Sequence, residues 1–212
     1  MFYKGKVIYA LYTDDLIIVG HEGREVEAAV EDIKRAGLDI TIEGTLEDFL
    51  GVNIERRRDG SIHLTQPHLI DSILKDLKLD GDDVKIKTTP TTSTRLLSFH
   101  STLSKFDKLF HYHSIISKLN FLEKSTCPDI ACITHQCARY STDPRKERGA
   151  VICWIVQYLK GTRDNGIIMQ PMRGRELEIY VDADFVGSCD RKESDKRDTA
   201  RSRHSYVLMY GG

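Results

Sequence analysis

No apolar run in this sequence approaches the roughly twenty residues needed to cross a bilayer, so no membrane role is expected. The N-terminus, Met-Phe-Tyr-Lys-Gly-Lys, places no signal-peptide core behind its charges, and an intracellular, cytoplasmic setting follows as the expectation. Net charge is missing too. Lys and Arg number 31 against 32 Asp and Glu, so bulk composition does not announce a nucleic-acid binder. Five cysteines, an odd count without a framework, suit a reducing compartment. Cys127, Cys132 and Cys137 recur every five residues, which is no zinc-ligand spacing, and they read as small helix-packing residues. What remains, at 212 residues with 40% hydrophobic and 30% charged content, is a globular chain of one large domain or two small ones.

Lys6 to Gly20, KVIYALYTDDLIIVG, organises the reading. Two short apolar runs rich in β-branched and aromatic residues, Val7–Tyr12 and Leu16–Val19, read as strands. Between them lies a polar tip of Thr13, Asp14 and Asp15. Two ionised carboxylates side by side repel each other, and a divalent cation is the usual way to hold both charged. The alternative is an ordinary turn, in which Asp is common.

Downstream, Val26, Ala29, Val30 and Ile33 follow helical spacing, with Gly37 placed to end the helix. Leu38, Ile40 and Ile42 alternate as a half-buried strand would. A second hairpin is expected from Leu50–Ile54, a turn around Asp59-Gly60, and Ser61–Thr65. A helix follows from Thr65 or Gln66, with Pro67 in its first turn and Leu69, Ile70, Ile73, Leu74 and Leu77 on its buried face. The Thr- and Ser-rich stretch from about 80 to 105 reads as a linker or surface loop. His63, His68, His100, His111 and His113 are scattered through this region and read as surface histidines. Three helices are expected at roughly 108–125, 129–141 and 145–160, with Asp143-Pro144 as a start signal and Gly161 as a stop. Glu176 to Gly187 alternates as a strand ending in acids, the charged stretch 188–203 reads as a loop, and His204–Tyr210 reads as a second strand.

The tip resembles motif C, the Tyr-x-Asp-Asp box of the reverse transcriptase palm. Later residues narrow the resemblance to the copia-type retrotransposon polyprotein. Phe49-Leu50-Gly51-Val52-Asn53-Ile54 is similar to that family's Phe-Leu-Gly-x-x-Ile strand. Thr89-Pro90, Pro128-Asp129-Ile130, Tyr158-Leu159-Lys160-Gly161-Thr162 and Asp182-Ala183-Asp184 match in order and near spacing, across nearly the whole chain. The resemblance implies an α+β fold. It places a partial polymerase palm of antiparallel hairpins plus a helix over 1–65, including a primer-grip-like hairpin. A helical thumb or connection would follow over 66–165, with its linker near 80–105, and an incomplete RNase H-like β-hairpin over 176–212.

The same resemblance implies a fragment of an RNA-directed DNA polymerase working by two-metal nucleotidyl transfer. Asp14 and Asp15 would bind Mg²⁺ or Mn²⁺. Tyr12, Thr13, Phe49, Leu50 and Gly51 would lie near nucleotide and primer, and Asp182 would be the leading metal ligand of the RNase H-like part. Partners of the intact enzyme would be an RNA–DNA or DNA primer–template, a dNTP and the remainder of the polyprotein. Three features depart from the family. Glu47-Asp48 stands where a Lys-aromatic pair is usual, Cys153–Gln157 where basic residues are common, and Cys127 where Arg precedes Pro-Asp-Ile. Only eleven residues precede Tyr12, too few for the strand carrying the motif-A aspartate. The chain alone is therefore expected to be inactive. The alternatives are a non-catalytic transposon remnant with at most weak nucleic-acid binding, and an unrelated palm-fold nucleotidyl cyclase. The cyclase reading leaves Phe49-Leu50-Gly51 and Tyr158–Thr162 unexplained.

Overall fold

The computed structural model describes residues 1–92, 104–107, 109–170, 177–184 and 203–210, which divide into two units, Met1–Thr45 and Leu46–Gly212. The remainder of the expected linker, 93–103, and the charged stretch 188–202 lie outside the described residues. The architecture is α+β, with antiparallel sheets and five α-helices among the described residues.

In the first unit, β1 (Phe2–Lys4), β2 (Val7–Tyr12) and β3 (Asp15–Val19) form an antiparallel sheet in that order. Helix α1 (Gly23–Arg35) follows. Its N-terminus is capped by the Glu25 carboxylate, which accepts from the backbone N–H groups of His21 and Glu22 at 3.0 and 3.1 Å. Lys4 ties β1 to α1 through Asp32 at 2.9 Å. Val7 and Ala29 are the unit's buried apolar residues. Residues 38–42 form no strand, against the alternation in their sequence. Alternation supplies a face but not a partner, and a lone strand leaves its backbone groups unpaired.

The second unit opens with β4 (Asp48–Phe49), β5 (Val52–Arg56) and β6 (Ile62–Thr65). Leu50 and Gly51, expected from the sequence to lie in a strand, are not strand residues. They form the two-residue turn between β4 and β5, at φ 53° and 73°, closed by the Phe49–Val52 pair. Two successive positive φ values are the signature of a tight hairpin whose twist matches its strands. At the expected β5–β6 turn, Asp59 accepts from the Ser61 N–H and hydroxyl at 2.9 and 2.7 Å, and Gly60 takes φ 86°. A third partner, β7 (Ile167–Met169), pairs with β6, giving the order β4-β5-β6-β7.

Helices α2 (Pro67–Asp76), α3 (Tyr112–Ser125), α4 (Ala131–Ala138, entered through a 3₁₀ turn at Pro128–Ile130) and α5 (Lys146–Gly161) carry the core. Ile73, Leu119, Leu122, Ile130, Ile152, Ile155 and Leu159 are fully buried there. Helix α5 starts after Asp143-Pro144 rather than at it, because that segment is held elsewhere. The Phe106 N–H donates to Pro144 O at 3.2 Å, and Lys105 bridges Arg145.

Residues 81–89 do not wander as a free loop. They strap across α5: the Lys87 N–H donates to Gln157 O at 3.3 Å, and Trp154 Nε1 donates to Thr89 O at 2.9 Å. The Lys87 ammonium sits 3.9 Å above the Trp154 ring. Among the described residues, strands β8 (Leu177–Asp184) and β9 (Arg203–Tyr210) pair only with each other, and residues 177–183 and 204–209 are all exposed.

Candidate functional site

The expected residues fall in three places. Tyr12 and Asp15 form the last pair of the β2–β3 ladder, so the turn proper is Thr13-Asp14 and Asp15 opens β3. Both carboxylates are exposed at this tip. Thr13 sits at φ 51°. A β-branched residue in the left-handed region is a genuine outlier, and strain of this kind costs on the order of 1–3 kcal/mol. Two-residue hairpin turns usually put Gly, Asn or Asp at such a position. The strain lies beside the paired acids, on a rigid support of two strands. Carboxylates held at such a tip offer the hard oxygen donors that Mg²⁺ or Mn²⁺ takes. Among the described residues no group of three or more His, Cys, Asp or Glu side chains gathers to complete a metal cage.

Phe49, Leu50 and Gly51 lie at the β4–β5 turn, on the same sheet as the β5–β6 hairpin. Arg56 and Arg58 are exposed at the tip of that hairpin and Arg57 is half-buried. Asp182 lies in β8 opposite Ser205, exposed.

A further convergence of residues escaped the sequence. The Tyr158 hydroxyl donates to Asp129, joining the motif that ends α5 to the Pro128–Ile130 turn. Burial and then this bond push the Tyr158 hydroxyl up to about 12, which keeps it a proton donor. Arg163 forks onto Asp71 of α2 at 2.7 and 2.6 Å, and holds that carboxyl below its usual range. His63 Nε2 lies 2.7 Å from Asn165 O, and His63 Nδ1 lies 3.0 Å from Arg57 Nη2. A guanidinium can only donate, so Nδ1 accepts and the imidazole is the neutral Nε2–H tautomer. Glu55, 3.4 Å from Nδ1, is then a neighbour rather than an acceptor. The collinear Pro-Asp-Ile and Tyr-Leu-Lys-Gly-Thr motifs were the available signal that this corner matters. Their spacing did not say that they touch.

Residues 1–93 match the family model described as reverse transcriptase (RNA-dependent DNA polymerase). Over 98% of its length the chain is 28% identical to the retrovirus-related Pol polyprotein from transposon RE1 of Arabidopsis thaliana. The chain is thus similar, over nearly its whole length, to Pol polyproteins of copia-type transposons. It is 26% identical, over 89% of its length, to the Pol polyprotein from transposon TNT 1-94 of Nicotiana tabacum. It is 23% identical, over 98%, to the putative transposon Ty5-1 protein of Saccharomyces cerevisiae, of which it spans 64%. It spans only 13% and 14% of the RE1 and TNT 1-94 polyproteins. No solved structure matches it. Among the described residues no helix is long and apolar enough to cross a membrane.

Proposed function

We propose that the chain is a segment of an RNA-directed DNA polymerase, with Asp14 and Asp15 as ligands for Mg²⁺ or Mn²⁺ at a nucleotidyl-transfer site. The observation that carries this reading is the pair of exposed acids on the strained Thr13-Asp14 turn, inside the stretch that matches the reverse transcriptase model. In the complete polymerase, bound divalent cations supply an activated primer 3′-hydroxyl and charge stabilisation for the leaving pyrophosphate. The chain's own part is to hold two adjacent carboxylates at a fixed point, with Tyr12 and Thr13 beside the incoming nucleotide. On this reading 1–65 is palm, with Phe49, Leu50 and Gly51 near the primer. Residues 66–165 are thumb or connection, and 176–212 opens an RNase H-like fold led by Asp182. A primer–template, a dNTP and the rest of a polyprotein are the partners.

A second reading, a non-catalytic remnant, draws on the charges of the helical body. Lys118 is bound to Ser72 and Asp76, Arg163 to Asp71, and Lys87 lies over Trp154. Cations engaged this way do little for a phosphate clamp, which works through free Lys and Arg.

Iron-directed cleavage tests the metal site. Fe²⁺ takes the place of Mg²⁺ and, with ascorbate and peroxide, cuts the chain near where it is held. Cuts between residues 12 and 16 that Asp15→Asn removes are the expected result. Cuts elsewhere, or an unchanged pattern in the variant, overturn the assignment.

A further inference from the structure

The β5–β6 hairpin is seated by a segment far from it in sequence. Ile167 of β7 pairs with Leu64 of β6, and the turn just before it meets β6 at closest approach. Gly166 stands at φ 54°, and a Cβ there would lie 2.0 Å from Leu64 O and 2.8 Å from Thr65 Cγ2. Only glycine fits that gap. The turn is itself anchored. The Asn165 N–H donates to Thr162 O at 3.0 Å, the Thr162 N–H donates to Tyr158 O at 3.1 Å, and Arg163 grips Asp71. His63 then spans the hairpin, donating to Asn165 O at one end and accepting from Arg57 at the other. Arg57 is thus drawn inward, while Arg56 and Arg58 stay exposed on either side of it.

We propose that His63 and Gly166 are positioning residues: they seat the β5–β6 hairpin on the α5–β7 junction and fix where Arg56 and Arg58 meet a nucleic-acid backbone. The inference rests on the reading of this hairpin as one that holds primer–template. A two-stranded hairpin is marginal by itself, so its direction is set by what it leans on. The β6–β7 ladder runs from Leu64–Ile167 to Ile62–Met169, level with Arg56, and at about 3.4 Å per residue Arg58 at the tip lies roughly 10–15 Å from its Leu64 end. A tilt of about ten degrees about that end moves Arg58 by roughly 2–3 Å, more than a hydrogen bond tolerates, and Arg56 by about half as much. Successive phosphates of one strand advance about 3.4 Å along the duplex, so a shift of that size is close to one nucleotide of register.

The test is photo-cross-linking of the full chain, in excess and at low salt, to primer–templates bearing an azidophenacyl group on one phosphate at a time. Cross-links to the peptide 56–61 are mapped against nucleotide position. Wild type should give a profile centred on one or two adjacent phosphates. His63→Ala and Gly166→Ala should shift it by a nucleotide or spread it over several. His63→Gln, whose amide keeps one donor and one acceptor, should restore it. Ile152→Val, which loosens the helical core at a fully buried position, should lower the melting temperature and leave the profile in place. That contrast separates positioning from stability, and the His63 series stands if Gly166→Ala does not fold. An unchanged profile in His63→Ala overturns the inference while the nucleic-acid reading survives. Wild type giving no cross-link to 56–61 removes that reading, and the inference with it.

Discussion

Arg163 reaches back 92 positions to Asp71 and holds its carboxylate with two nitrogens, at 2.7 and 2.6 Å. The contact locks the end of α5 to α2. Its hydrogen bonds depress the folded-state value of Asp71 below 3.8. A carboxyl depressed on folding contributes stability that is full above its unfolded value and fades as pH falls through the folded one. Both side chains are 36% exposed, so screening holds the contribution to about 1 kcal/mol or less. Asp71→Asn should therefore be less stable than wild type in urea melts at pH 7, with the gap narrowing as pH falls below the ordinary carboxylate range. A gap independent of pH would mean that the pair matters through packing instead.

Strain at the acid tip predicts an unusual gain. Thr13 at φ 51° is relieved by glycine, which visits that region freely but loses more chain entropy on folding. Thr13→Gly should stabilise the chain by roughly 0.5–1 kcal/mol. Denaturation of the purified variant checks this, and a loss of stability would show that the Thr13 side chain makes a contact worth more than its strain.

Cysteine chemistry should follow burial. Cys137 is fully buried and burial pushes its thiol up to about 12, while Cys127 and Cys153 are raised by the same cause. Cys132 is exposed. At pH 8 the thiolate is the reactive form, so iodoacetamide should label Cys132 well before these three. Mass spectrometry of timed samples gives the order, and early labelling of Cys137 would mean the α3–α4 core opens readily.

The hairpin β8–β9 should be the least protected pairing of the second unit. Its described side chains are all exposed, including Ile179, Val181 and Leu208, so little besides its own ladder holds it. Hydrogen exchange should find 177–184 and 203–210 opening orders of magnitude faster than α5. Comparable protection would show that these strands pack on something.

Periodicity made the helices and the first hairpin legible, because apolar positions there recur at the spacing their buried faces require. It failed where a residue's role was set by a distant partner. Leu50 reads as a strand residue, yet the Phe49–Val52 pair needs it in the turn. β7 has only three residues, too few for a pattern, and exists because β6 offers an edge. Leu38, Ile40 and Ile42 alternate correctly and find no strand beside them. Asp14 and Asp15 were visible as a motif. His63 was not, because nothing near it in sequence reveals Asn165.

The central claim is that Asp14 and Asp15 form a cation site, and electron paramagnetic resonance of Mn²⁺ titrated into the chain tests it most directly. Two adjacent carboxylates supply few protein oxygens, so most of the coordination shell stays water and binding is weak, on the order of millimolar. The account predicts loss of free Mn²⁺ signal in that range, abolished by Asp14→Asn and by Asp15→Asn. Tight binding that survives both substitutions would contradict it.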